Sequence, residues 1–282
     1  MVFGSVHAFS SFRHIVVSLG CVDVRAPSLD RRFEHLATAR ARGRDLVPCT
    51  LMEERKRKVA VFDVDGTIFR SSLLVQVVDQ LIRDGAFPED AQAEYAKQHE
   101  KWLDREGDYE AYIMAVVHAF RKHLKGVHYS ALSEAAEKLV AAQWKHTYRY
   151  TRDMLKDLKK KGYYLLAVSH SPKLVLDQFC PRLGFDKVYG IMYELGPQEC
   201  FTGTMMDEHM ILNKATILKR ALEKENLTLA HSIGVGDTEG DISFLDLVAK
   251  PVCFNPNSKL YKYAKRQKWK VVVERKDVIY EL

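Results

Sequence analysis

The chain has 282 residues, 47% hydrophobic and 28% charged, ordinary values for a globular protein that exclude disordered, collagen-like and disulfide-scaffold classes. That length allows about two domains, or one with a large insertion, and no apolar run approaches the roughly eighteen residues a membrane helix needs. The net charge of +6 divides evenly: residues 1–51 contribute +3, and the other 231 hold 36 basic and 33 acidic residues without a basic stripe, so neither nucleic acid nor membrane is an expected partner.

Residues 1–51 carry seven arginines, four acids and no lysine, whereas the remainder is lysine-rich. The acids count against a transit peptide, and the segment is expected to be a disordered or non-native extension, with the folded part starting at Met52. The five cysteines (Cys21, Cys49, Cys180, Cys200, Cys253) form no C-x-x-C pair, which argues against a zinc site or disulfide framework and points to a reducing, cytoplasmic setting.

Val59 to Phe62 is a short apolar run of the kind buried on both faces of a parallel sheet. It ends at Asp63-Val64-Asp65-Gly66-Thr67, at the carboxyl end of a strand, where open α/β sheets bind ligands. Gly66 permits the turn, and the apolar spacing from Ile68 to Leu81 predicts a helix. One carboxylate, Asp63, can attack phosphorus, and the second, Asp65, can protonate the leaving alkoxide and then activate water. Attack of an anion on an anion calls for a divalent cation with oxygen ligands, Mg²⁺, and a lysine.

At this motif the chain resembles the haloacid dehalogenase (HAD) superfamily. In that family the first Asp is the nucleophile, and the second is the acid/base whose backbone carbonyl touches the metal. The second Asp is absent from its dehalogenases, so Asp65 points to the phosphohydrolases. The resemblance implies a three-layer, Rossmann-like α/β core around a parallel sheet. It places Asp63, Asp65 and Asp237 at the metal and Thr67 with the phosphate ligands.

Between this motif and the next apolar run lie helical segments at Leu73–Arg83, Glu89–Glu106, Tyr109–Leu124 and Ser130–His146, broken by glycines and Pro88. An insertion here resembles the all-helical type 1 cap, a lid that reads the leaving group, with boundaries at 71–149 and a core of 52–70 and 150–282. Arg70, Arg105, His118 and Lys122 are candidate lid contacts, although each also reads as a solvated helix face.

A helix at 149–161, stopped by Gly162, precedes the apolar run Tyr163–Val168, then Ser169-His170-Ser171-Pro172. Ser171 reads as an N-cap and Pro172 as the first turn of the next helix. By resemblance to the second HAD motif, Ser169 and the His170 N–H bind the phosphoryl group, with the His170 side chain facing solvent. Lys214 opens a helix and matches the third motif, neutralising phosphate and nucleophile, with Lys219 as a rival. Gly234-Val235-Gly236-Asp237-Thr238-Glu239-Gly240-Asp241 follows an apolar strand and fits the fourth. Gly236 admits a close backbone approach, Asp237 is a metal ligand, and Asp241 is a supporting carboxylate.

Tyr193–Leu195 and Phe201–Gly203 read as a hairpin, and with the tail they resemble the phosphoserine-phosphatase-like branch, subfamily IB. Phosphoserine phosphatases carry a glutamate nine residues after the nucleophile and an Asn before the last motif aspartate. Ser72 and Gly240 stand there. The expected activity is Mg²⁺-dependent hydrolysis of a small phosphorylated metabolite. The alternatives are phosphoserine hydrolysis, phosphoryl transfer to another acceptor, and a silent binding protein on the same fold. Oligomeric state and physiological substrate stay open.

Overall fold

The computed structural model describes residues 56–207 and 213–282; the expectation for residues 1–51 lies outside them. Its centre is a seven-stranded sheet in the order β3-β2-β1-β6-β7-β8-β9. These strands are β1 (Arg57–Phe62), β2 (Tyr164–Pro172), β3 (Lys187–Ile191), β6 (Leu227–Gly236), β7 (Lys250–Phe254), β8 (Lys270–Arg275) and β9 (Val278–Glu281). All neighbours pair in parallel except β8 with β9. Val59 to Phe62 and Leu165 to Val168 are fully buried, as continuous apolar runs in a sheet covered on both faces must be.

Helices cover the sheet: α5 (Arg149–Lys160) and α6 (Lys173–Phe179) against β2, α7 (Lys214–Lys224) and α8 (Ile242–Leu245) against β6, and α9 (Ser258–Gln267) against β7 and β8. The result is the expected α/β architecture. The chain runs outward from β1 through β2 to β3, then returns to place β6 on the other side of β1. Such a reversal leaves a crevice beyond the carboxyl ends of the two central strands, and Asp63 and Asp237 follow them directly.

The segment between β1 and β2 is helical, with α1 (Leu73–Arg83), α2 (Ala96–Leu103), α3 (Tyr109–Leu124) and α4 (Tyr129–Gln143). The first helix starts at Leu73, as the segment Leu73–Arg83 predicts and later than the apolar spacing from Ile68 suggests; it is capped by Ser72, while Ile68 and Phe69 turn into the core, where Phe69 meets Phe179 edge-on at 5.5 Å. Two details differ from expectation. The predicted helix 89–106 is a 3₁₀ turn, Glu89–Glu94, followed by α2. Tyr95 separates them with a non-helical backbone (φ −120°, ψ 2°) and a ring buried beside Tyr112. The last helix begins at Tyr129, capped by His128, and ends at Gln143. The hairpin forms as β4 (Tyr193–Leu195) and β5 (Phe201–Met205), antiparallel.

Candidate active site

The turn after β1 builds the site. Asp63 continues the strand, its N–H bonded to the Val235 carbonyl at 2.9 Å. Gly66 adopts φ +74°, and a Cβ there would collide with the Asp237 carboxylate. Only glycine combines that conformation with so close an approach. Thr67 is fully buried and donates its hydroxyl to Asp237 Oδ1 at 3.2 Å. It therefore orients that carboxylate, which differs from the phosphate contact expected of it.

Lys214, the first residue of α7, reaches into the crevice and is 4% exposed. Its Nζ lies 2.6 Å from Asp63 Oδ1 and 2.6 Å from Asp241 Oδ1. Lys219 is exposed on the same helix. Asp241 is fully buried, and its other oxygen accepts the backbone N–H groups of Asp237 and Thr238 at 2.9 and 3.0 Å. Gly236 makes room for it, since a Cβ there would lie 2.6 Å from the Asp241 side chain. Asp241 thus fixes both the lysine and the loop that carries Asp237.

Asp65 is held elsewhere. Its Oδ2 accepts the hydroxyls of Ser169 at 2.8 Å and Ser171 at 2.7 Å, and its Oδ1 accepts the Leu73 N–H. Ser171 is therefore not the N-cap expected of it; Pro172 takes that place, without a side-chain cap. The reason is that β2 runs on to Pro172, so Ser169 and Ser171 share one strand face. That i, i+2 serine pair was the available signal for Ser171. His170 between them is half-buried and lines a small cavity of about 110 Å³ with Asp63, Asp65, Lys214 and Asp237, not a solvent-facing loop. Of the candidate lid residues, Arg70 lines a larger adjoining cavity. Arg105, His118 and Lys122 are exposed and line neither cavity.

Burial raises the pKa of Asp63 to about 7, with Lys214 opposing and Asp241 and Asp65 adding to the rise. Burial, then Asp63 and Asp241, lift Asp237 well above the carboxylate range. Burial also raises Asp65, opposed by the Ser171, Leu73 and Ser169 hydrogen bonds. For Lys214 burial works the other way, yet Asp241 and Asp63 outweigh it and keep the ammonium charged. Tyr109, which lines both cavities, is pushed up by burial and then by Asp237 and Asp65. Its sequence position, at the start of a helix, carried no sign of this.

Carboxylate oxygens of Asp63, Asp237 and Asp241 come within 4.8 Å of one another. Set against three buried acids and the half-buried Asp65, the site holds one lysine ammonium among the described residues, so it is short of positive charge. Asp241 already receives N–H groups on both oxygens, which leaves Asp63 and Asp237 to face an ion. A hard, all-oxygen donor pair of this kind fits Mg²⁺. A second acid group, Asp108, Glu110 and Glu239, surrounds the Lys259 ammonium at 3.2, 3.1 and 2.6 Å, which already supplies its countercharge.

A strand-end aspartate pair, a buried lysine and an acidic loop on one crevice define a hydrolase site of the α/β class. The chain belongs to the haloacid dehalogenase-like hydrolase family, whose pattern matches residues 60–246. It is 26% identical over 225 residues to a histidinol-phosphatase of Neisseria meningitidis serogroup C, covering 77% of this chain and 98% of the relative. It is 21% identical over 229 residues to a phosphoserine phosphatase of Methanocaldococcus jannaschii, covering 80% and 96%. Among solved structures, a Bordetella pertussis Tohama I protein of unknown function superposes with TM-score 0.60 at 19% identity, covering 77% and 98%. A phospho-aspartyl intermediate analogue of phosphoserine phosphatase does so with TM-score 0.54 at 19% identity, covering 79% and 96%. At these identities the solved structures establish a common fold.

Proposed function

We propose that the protein is a Mg²⁺-dependent phosphatase that hydrolyses a small phosphomonoester through an aspartyl-phosphate. The observation that carries this reading is the Asp63 carboxylate at the end of β1, ion-paired to buried Lys214 while Asp65, two residues on, is held apart by two serine hydroxyls. A ligand-binding protein has no use for that second, separately held acid. Two relatives are phosphatases by name, which agrees with this chemistry.

In the first step an Asp63 oxygen attacks phosphorus and the P–O bond to the alcohol breaks, while Asp65 delivers a proton to the leaving oxygen. Burial favours the protonated form of Asp65 that this step requires. In the second step Asp65 takes a proton from water as the water attacks the acyl phosphate, releasing inorganic phosphate and regenerating Asp63. Lys214 stabilises the charge on the nucleophile and the phosphoryl oxygens, with His170 on the wall of the same cavity; Ser169, assigned to the phosphate by resemblance, gives its hydroxyl proton to Asp65 here. Bound by Asp63, Asp237 and the Asp65 carbonyl, Mg²⁺ would supply the positive charge the site lacks. Residues 71–149 act as the cap, with 52–70 and 150–282 as the core.

Ser72 and Gly240 weigh against phosphoserine as the preferred ester. Ser72 caps α1 through its hydroxyl, and Gly240 is exposed without a side chain, so neither replaces the expected recognition group. The test is phosphate release from p-nitrophenyl phosphate by the purified protein. Activity should require Mg²⁺ and fall by at least about a thousandfold in Asp63→Asn; a substituted protein at the wild-type rate refutes the mechanism.

A further inference from the structure

The larger cavity, about 720 Å³, adjoins the carboxylate cluster and is lined by one face of α1: Ser72, Val75, Gln76 and Asp79. Spacings of three and four residues keep these positions on one side of a helix. Ser72 also lines the small cavity around Asp63, and Asp79 lies seven residues further on, about 10 Å along the axis. The cavity therefore joins the reacting centre to a second carboxylate that the hydrolytic steps do not use.

Asp79 is half-buried. Its Oδ1 accepts a hydrogen bond from Gln92 at 3.0 Å, and its Oδ2 has no hydrogen bond among the described residues. Burial raises its pKa, opposed by Gln92, then Arg83 and His99. Arg83 is exposed and donates to Gln80. His99 is stacked on Tyr112, with ring centroids 4.9 Å apart and planes inclined by 22°. Tyr95 lies 6.2 Å from Tyr112, and Trp102 is 4.9 Å from Tyr109. All these rings line the same cavity. Aromatic faces beside a partly desolvated carboxylate attract organic cations; Arg70, the guanidinium in the lining, lies over the Tyr148 ring, outside this group of rings around Asp79.

Resting on the phosphatase reading, we infer that the cavity selects phosphomonoesters of extended amino alcohols, with the cationic nitrogen received by Asp79 among these rings. The separation between Ser72 and Asp79 favours an alcohol longer than that of a phosphorylated amino acid, whose carboxylate Asp79 would also repel. The phosphate goes to the β1 end and the cation to the α1 interior, so one molecule spans both.

The experiment compares kcat/KM for 5-aminopentyl phosphate, phosphoserine and neutral pentyl phosphate, with p-nitrophenyl phosphate reporting on the reaction itself. The cationic amino alcohol should be preferred over the neutral ester by at least about tenfold, through KM. Asp79→Asn should remove most of that preference, and Asp79→Glu should restore part of it. A wild-type enzyme without the preference, or one whose preference survives Asp79→Asn, overturns the inference. Calorimetric binding of the same esters to Asp63→Asn protein with Mg²⁺ separates the two claims. Selective binding without wild-type turnover of any ester sinks the phosphatase reading and supports the selectivity; turnover of p-nitrophenyl phosphate with unselective binding does the reverse.

Discussion

Ser171 donates its hydroxyl to Asp65 Oδ2 at 2.7 Å, across 106 residues of sequence, and so ties the end of β2 to the turn after β1. Hydrogen bonds to an ionised carboxylate favour that form, so the bond works against the burial that raises the pKa of Asp65. Ser171→Ala should raise that pKa further. Because Asp65 acts as an acid when protonated in the free enzyme, the alkaline limb of kcat/KM should move to higher pH. A pH profile identical to wild type would separate Ser171 from the acid/base group.

Magnesium binding should displace protons. Asp63 has a pKa near 7 in the metal-free protein, so it is largely protonated at pH 6 and largely ionised at pH 8.5. A cation that takes both carboxylates releases the Asp63 proton in the first case and hardly in the second, on top of any release from Asp237, whose pKa lies well above the carboxylate range. Titration calorimetry in buffers of different ionisation enthalpy measures the number directly. Equal release at both pH values would show that Asp63 is not the group displaced. The same binding should raise the melting temperature, an effect EDTA reverses.

Gly66→Ala should both strain and block the site. The residue must hold φ +74°, which costs a non-glycine residue about 1 kcal/mol, and its Cβ would displace the Asp237 carboxylate. A small loss of stability with a much larger loss of Mg²⁺ affinity is the expected pattern. Chemical denaturation and metal titration of the same sample check it, and affinity unchanged from wild type would contradict the placing of Asp237.

Lys259→Ala should loosen the helical layer from the sheet. Its ammonium joins Asp108 and Glu110 at the start of α3 to Glu239 beside the Asp237 loop. Being about half exposed, these pairs contribute little to global stability. The expected effect is faster hydrogen exchange at the first turn of α3 with a melting temperature within a few degrees of wild type. Unaltered exchange would show that α3 is held by its apolar contacts alone.

The parts of the site that could be read in advance are those fixed by short-range chemistry. The buried run Val59–Phe62 ending in Asp63-Val64-Asp65-Gly66-Thr67 specifies strand, turn and carboxylates within nine residues, and the structure bears out both strand and turn. The parts that could not be read depend on partners far along the chain. Lys214 matches the motif better than Lys219, but only the docking of α7 buries the one between two acids and leaves the other facing water. Ser171 resembled a helix cap because Pro172 reads as a first helical turn, whereas β2 continues through it. Thr67 resembled a phosphate ligand until β6 brought Asp237 to its hydroxyl. Ile68 and Phe69 have helical spacing, but their burial in the core delays the helix to Leu73.

The return of the chain to set β6 beside β1 has a consequence for biosynthesis. Asp63 leaves the ribosome early, yet Lys214, Asp237 and Asp241, the groups that neutralise and frame it, emerge only after some 150 further residues. A nascent chain thus displays its reactive acid long before the rest of the centre exists. Any fragment that stops short of Lys214 carries Asp63 without its electrostatic partners, so the proposed chemistry waits for the segment that sets β6 at the middle of the sheet.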